Sequence, residues 1–194
     1  METTHKHMVE CAAEAARVAR GVTAEHLAGT ATPCADWDVR TLVNHWVLYT
    51  SYGLERRAAR VQLPDELTAR DFTAEPDWAG AYAAQLDRAV AAWADPAVWE
   101  GDVDFGGGSA PAADVAAMVT KEMAVHGWDV ARATGQDFHV SQDAGAFVLG
   151  VVREHGDLYR QYGGFAAERP AGEGATDFER ALAESGRDLG WRAA

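Results

Sequence analysis

The sequence predicts an all-α fold: a four-helix bundle with a short extended segment or hairpin before its fourth helix and a short C-terminal helix. Three observations lead there. Apolar residues recur with the helical period along four long runs. Pro, Gly and Asp punctuate those runs. The Gly-Gly-Gly at 106–108 does not follow a strand in a βαβ pattern, so no nucleotide-binding fingerprint is present. With 194 residues and 48% hydrophobic content, the chain reads as one domain over 1–194, long enough to bury a core.

The elements follow in order. The first helix is expected over about 4–28, because Met8, Cys11, Ala15, Val18 and Val22 keep the helical period. Gly29 to Trp37, with Pro33, forms a loop. The second helix starts after Asp38, its N-cap, and runs to about Arg60 with Leu42, Val43, Trp46 and Val47 inward. Residues 61–76, with Pro64 and Pro76, read as a long connection. The third helix spans about 77–94 through Trp78, Tyr82, Leu86, Val90 and Trp93, and Pro96 ends it. The alternation from Trp99 to Phe105 gives the extended segment or hairpin. The fourth helix opens near Pro111 and closes near Gly135. The fifth, about 142–162, is lined by Phe147, Val148, Val151, Val152, Leu158 and Tyr159. A loop from Gly163 to Gly174 and a short helix over about 177–186 complete the chain, without internal repeats.

Seventeen Lys and Arg against thirty Asp and Glu give a net charge of −13. Phosphate binding needs clustered cations, and no basic run exists, so nucleic acid and anionic membranes are excluded as partners. Cys11 and Cys34 have no CxxC or zinc-ribbon spacing and indicate no disulfide framework; Cys11 falls on the apolar side of its helix. The start Met1-Glu-Thr-Thr-His-Lys-His lacks the pattern of a secretory signal. No apolar stretch approaches the roughly 18 residues that span a bilayer. The expected location is the cytoplasm.

Glu122 and His126 carry the chemistry. In the fourth helix Val115, Met118, Val119, Met123 and Val130 form the apolar stripe, and Glu122 and His126 project into its centre. A buried carboxylate is costly unless it is paired, protonated or bound to a metal. Two ligands at i, i+4 on one inward face recur as holders of divalent ions; a hydrogen-bonded pair without metal is the alternative. A third ligand must come from elsewhere. His5 and His7 in the N-terminal turn, His26 near the end of the first helix and His139 in a loop are expected to be exposed. His45, at the edge of the inward arc of the second helix, and His155, on the apolar side of the fifth, both remain, and pattern does not choose between them.

Resemblance does. Thr32-Pro-Cys-Ala-Asp-Trp-Asp-Val-Arg-Thr-Leu-Val-Asn-His45 resembles the opening of the second helix in actinobacterial DinB-like proteins, including the mycothiol-dependent maleylpyruvate isomerase N-terminal domain family. Glu122-Met-Ala-Val-His126-Gly-Trp-Asp-Val-Ala-Arg-Ala-Thr-Gly135 resembles that group's second hallmark. The closing Phe178-Glu-Arg-Ala-Leu-Ala-Glu-Ser-Gly-Arg-Asp-Leu-Gly-Trp191 is similar to the C-terminal pattern of its stand-alone metal-binding subfamily. The resemblance implies a four-helix bundle and a divalent metal, usually zinc, held by His45, Glu122 and His126. It also implies mycothiol or a similar thiol as co-substrate.

Two imidazoles and a carboxylate suit Zn²⁺, and also Ni²⁺ or Fe²⁺, and three protein ligands leave a position open, as in catalytic sites. The leading expectation is a metal-dependent thiol S-transferase or isomerase acting on a small electrophile. The alternatives are a non-catalytic metal- or small-molecule-binding protein, a sensor or sequestering module, and a metal-free dimerising scaffold. Asp129 either orients a ligand histidine or makes a local cap. Trp37, Trp46 and Trp128 line the pocket or pack the core. Arg132 meets an anionic substrate group or a surface carboxylate. Cys34 is a loop thiol near the site without a ligand's place in the family, and His155 is a core or pocket histidine. The tail after the fifth helix is too short for the further C-terminal domain of the isomerase proper, which shifts the expectation toward the stand-alone subfamily. An exposed bundle face leaves room for a homodimer.

Overall fold

The computed structural model describes residues 1–105 and 107–193; Gly106, the first glycine of the 106–108 run, lies outside them. The chain is mostly helical with one small hairpin. Its helices are α1 (Glu2–Arg20), α2 (Val39–Val47), α3 (Gly53–Ala58), α4 (Asp65–Thr68), α5 (Trp78–Ala92), α6 (Ala112–Ala133), α7 (Gln142–Gln161) and α8 (Asp177–Glu184). A π turn, Leu48–Tyr52, joins α2 to α3. β1 (Asp102–Asp104) and β2 (Ser109–Pro111) pair antiparallel, with Val103 opposite Ala110. No helix among the described residues is long and apolar enough to cross a membrane.

Helix α6 organises the packing. It contacts α1, α2, α7 and the hairpin, and α1 also packs on α5. Because neighbours close on it from several sides, α6 is buried around most of its circumference, at Val115, Val119, Met123 and Val130 but also at Lys121, Trp128 and Asp129. Small residues at Ala116, Ala124, Gly127 and Ala131 let those neighbours approach. The single stripe expected from the sequence understates this enclosure.

Three boundaries differ from the sequence reading. The first helix ends at Arg20 rather than near residue 28, where Gln136 Nε2 donates to the Val18 carbonyl at 3.0 Å and covers the helix end. The second helical run keeps its expected N-cap, Asp38 Oδ1 accepting from Thr41 N at 2.8 Å, but is broken by the π turn. There the Thr50 and Ser51 hydroxyls donate to the Trp46 and Val47 carbonyls, each at 2.6 Å, and so satisfy carbonyls within the widened turn. The connection over 61–76 contains α4 and a 3₁₀ turn, Phe72–Ala74.

Helix α8 starts on a capping box between Thr176 and Glu179. It ends in a Schellman motif, Gly186 N donating to Ala183 O and Arg187 N to Leu182 O, both at 2.9 Å. Gly186 has φ +89°, and a Cβ there would meet the backbone of Ala166, 2.9 Å from its carbonyl carbon. The left-handed backbone costs a side-chain-bearing residue about 1–2 kcal/mol, and overpacking against main chain costs about 1–3 more. Gly186→Ala is therefore expected to destabilise the fold by about 2–5 kcal/mol, read as the shift in urea midpoint. A loss within experimental error would show that this turn is not held in the described conformation.

Candidate metal centre

Helix α2 and helix α6 meet where His45 faces Glu122 and His126. One ligand atom from each of the three lies within 4.8 Å of the other two. Glu122 and His126 stand one turn apart on α6, with His126 Nε2 3.0 Å from Glu122 Oε2. Two atoms bound tetrahedrally at zinc distances stand about 3.3 Å apart, so this pair is already near chelating separation. The side chains keep 19% and 10% of their surface exposed, so the cluster is largely buried with partial access to solvent.

The other ring nitrogen of His126 faces inward. Asp129 Oδ2 lies 3.0 Å from Nδ1, and Asp129 is itself fully buried. Arg187, from the turn after α8, donates to both Asp129 oxygens, Nη2 at 2.9 Å and Nε at 3.3 Å. This is the carboxylate–histidine arrangement that fixes tautomer and ring orientation in metal sites. On the other flank, Lys121 Nζ pairs with Glu122 Oε1 while lying 3.5 Å from the centre of the Tyr159 ring.

Protonation follows from these neighbours. Burial, then the neighbouring His126, pushes the His45 pKa down to about 4, leaving a free lone pair at neutral pH. Burial would lower the His126 pKa too, but Glu122 and then Asp129 hold it well above its ordinary value. Burial acts to raise the Glu122 pKa, and the Lys121 and His126 charges outweigh it, keeping the carboxylate ionised. Asp129 is held at about 2, the Arg187 and His126 charges overcoming its burial. The donor set at neutral pH is thus one imidazole free to coordinate, one carboxylate, and one imidazole whose Nε2 proton an entering cation would replace. That set fits a borderline divalent ion.

Cys34, His126 and Asp129 form a second close group. Here the Cys34 thiol donates to Asp129 Oδ2 at 3.2 Å and lies 4.0 Å from His126 Nδ1. Burial first, and Asp129 next, pushes the Cys34 thiol pKa up, so it stays protonated and is the poorer ligand. Asp129 also spends its oxygens on Arg187, His126 and Cys34. This group is built as a hydrogen-bond network behind His126, whereas the His45 group leaves its donor atoms facing one another.

Aromatic walls complete the cleft. The Trp37 ring lies tilted at 4.7 Å from His45 and 5.9 Å from His126, and Tyr49, one turn after His45, lies 4.7 Å from it. Trp46 is instead fully buried, its Nε1 donating to Met123 O at 3.2 Å and its ring 5.0 Å from Tyr82. Trp128 lines a separate cleft of about 780 Å³ with Phe138 and Phe178. Arg132 covers that ring at 5.7 Å and donates to the Trp191 carbonyl rather than reaching the cluster. His155 belongs to neither close group and has Glu154 4.0 Å away. Sequence reasoning missed Lys121, Tyr49, Tyr159 and Arg187. Tyr49 carried a usable signal, its i+4 spacing from His45. Lys121 carried none, since a Lys beside a Glu on a helix reads as solvated surface.

A helical protein that brings two imidazoles and a carboxylate to one half-open point, with a buried carboxylate behind one imidazole, falls in the class of helical proteins with a candidate histidine–carboxylate centre. The comparison with known families is more specific. The model of the mycothiol maleylpyruvate isomerase N-terminal domain matches residues 9–131, more than half of the chain, and the chain belongs to that family. The match takes in His45, Glu122, His126 and Asp129 and stops before α7, so Tyr159 and Arg187 lie beyond it. No curated protein and no solved structure matches the chain.

Proposed function

We propose that the chain is a metal-dependent enzyme of thiol chemistry, an S-transferase or isomerase built on a DinB-like four-helix bundle and acting on a small electrophile with mycothiol or a similar thiol. The observation that carries this reading is the convergence of His45, Glu122 and His126, with His126 buttressed by Asp129, at a point with partial access to solvent. Family membership supports it. Zn²⁺ suits the two imidazoles and one carboxylate best, with Ni²⁺ or Fe²⁺ as the other candidates. A divalent ion bound there would supply Lewis-acid chemistry, favouring the thiolate form of a thiol at neutral pH.

The protein's residues have separate tasks. His45 on α2 and Glu122 and His126 on α6 would hold the ion. Asp129 keeps the Nδ1 proton of His126 and so directs Nε2 outward. Lys121 occupies Glu122 Oε1 and leaves Oε2 toward His126. Trp37 and Tyr49 shield the cleft from bulk water on the α2 side.

The test is elemental analysis of untagged, chelator-free protein beside His45→Ala and Glu122→Ala, followed by a screen of thiol-dependent turnover. The expected result is about one divalent ion per wild-type chain, strongly depleted in both variants, with turnover that needs both thiol and metal. An apo wild type that takes up no added Zn²⁺, Ni²⁺ or Fe²⁺ would overturn the reading. Full metal with no thiol turnover would leave the sensor or sequestering protein in its place.

A further inference from the structure

Beside the cluster stands a half-buried cation that has no counter-ion among the described residues. The guanidinium of Arg57, on α3, makes one hydrogen bond among the described residues, a long one from Nη1 to the Tyr49 carbonyl at 3.5 Å. Among the described residues no carboxylate oxygen lies within 4.0 Å of its guanidinium. Burial pushes its pKa down, and the groups that oppose this are Tyr49, Tyr159 and Glu122, which are the walls and one ligand of the candidate centre. The chain has 30 carboxylate side chains against 17 cations, so counter-ions are plentiful, yet none is placed here. Partial desolvation of an unpaired guanidinium is unfavourable unless an anion returns to it.

The π turn between α2 and α3 puts the guanidinium there. Twelve residues along an uninterrupted α-helix would turn Arg57 about 120° away from His45, whereas the one residue inserted by a π turn brings it back to within about 20°. His45, Tyr49, Gly53 and Arg57 therefore follow one another along the same side. Gly53 leaves the niche open: a Cβ there would lie 2.6 Å from Arg57 Nη1. The guanidinium folds back over that missing side chain toward the Tyr49 carbonyl.

We propose that Arg57 is the anion-recognition residue of this cleft, binding a carboxylate carried by the thiol or by the electrophile, on the side walled by Tyr49 and Tyr159. This rests on the metal-centre reading above. The planar fork of a guanidinium matches a carboxylate bidentately, and binding restores the missing counter-ion. Arg57 thereby sets specificity without ligating the ion.

The experiment uses Zn²⁺-loaded wild type, Arg57→Gln and Arg57→Lys, with metal content measured on every sample. One arm titrates 2-mercaptoacetate, 3-mercaptopropionate and 4-mercaptobutyrate against their neutral amides by calorimetry. The other titrates succinate against succinamide with the protein saturated in 3-mercaptopropionamide. In wild type the acid is expected to bind at least tenfold tighter than the amide in one arm, and that arm identifies the carrier. The ratio is expected to fall toward one in Arg57→Gln and to persist in part in Arg57→Lys, while metal content and amide affinity are unchanged. A merely structural role would weaken acid and amide together and leave the ratio intact. An intact ratio in Arg57→Gln, or no acid preference in either arm with metal bound, overturns the proposal. Failure to load Zn²⁺ at all is read separately, from the metal content, and overturns the centre on which the proposal depends.

Discussion

His126→Ala is expected to abolish metal binding while leaving the helices folded. His126 is common to both close groups, offering Nε2 to one and Nδ1 to the other, so no regrouping of neighbours replaces it. Structural zinc sites with four ligands are worth about 10–16 kcal/mol, or roughly 2.5–4 kcal/mol per ligand, which is about two to three orders of magnitude in affinity. The fold should survive because each carboxylate keeps a cation when the imidazole is gone: Glu122 keeps Lys121, and Asp129 keeps Arg187. Loss of packing around the site is expected to cost only about 1–3 kcal/mol. Elemental analysis beside thermal unfolding checks both halves, and a variant that still holds one ion per chain would remove His126 from the centre. Asp129→Asn should give a smaller fall in affinity, about 10–100-fold, since it disturbs the orientation of a ligand rather than deleting one.

The legible part of this site was the part encoded locally. Glu122 and His126 share a face of one helix, and a charged residue on an apolar face shows in the sequence. His45 was separable from His155 only by the resemblance of its surrounding motif, because both fall on inward arcs. The π turn was invisible, since the apolar residues of 42–54 still look helical, and a one-residue phase change alters which residues face the site without altering composition. That shift is why Arg57 escaped notice. Lys121 escaped because α6 is enclosed on several sides, so the rule assigning its charged positions to solvent fails there. The end of α1 was misplaced for a similar reason: Gln136, more than a hundred residues later, covers it.

Arg187→Ala is expected to be among the most destabilising single substitutions in the chain, at about 3–5 kcal/mol, because it strips the bidentate counter-ion from a carboxylate with no solvent exposure and leaves the single contact with His126 to offset its burial. The guanidinium makes two hydrogen bonds to Asp129, another to the Ser185 carbonyl at 3.2 Å, and lies 5.6 Å from the Phe165 ring. Without it, Asp129 is left to His126 and the Cys34 thiol. The double variant Arg187→Ala/Asp129→Ala should be less destabilised than the sum of the singles, since removing both charges removes the desolvation cost together with the attraction. Urea midpoints of the four proteins give the coupling energy, and additive losses would show that the pair is not the source of the effect. The same substitution reaches the metal centre from a distance. Asp129 holds its place against His126 because Arg187 holds Asp129, so metal affinity should fall in Arg187→Ala although α6 keeps all its own residues. Arg187 lies beyond residues 9–131, the span matched by the family. A fall in metal affinity would therefore mean that the C-terminal turn after α8 is a working part of the centre, and not only a cover for the helices beneath it.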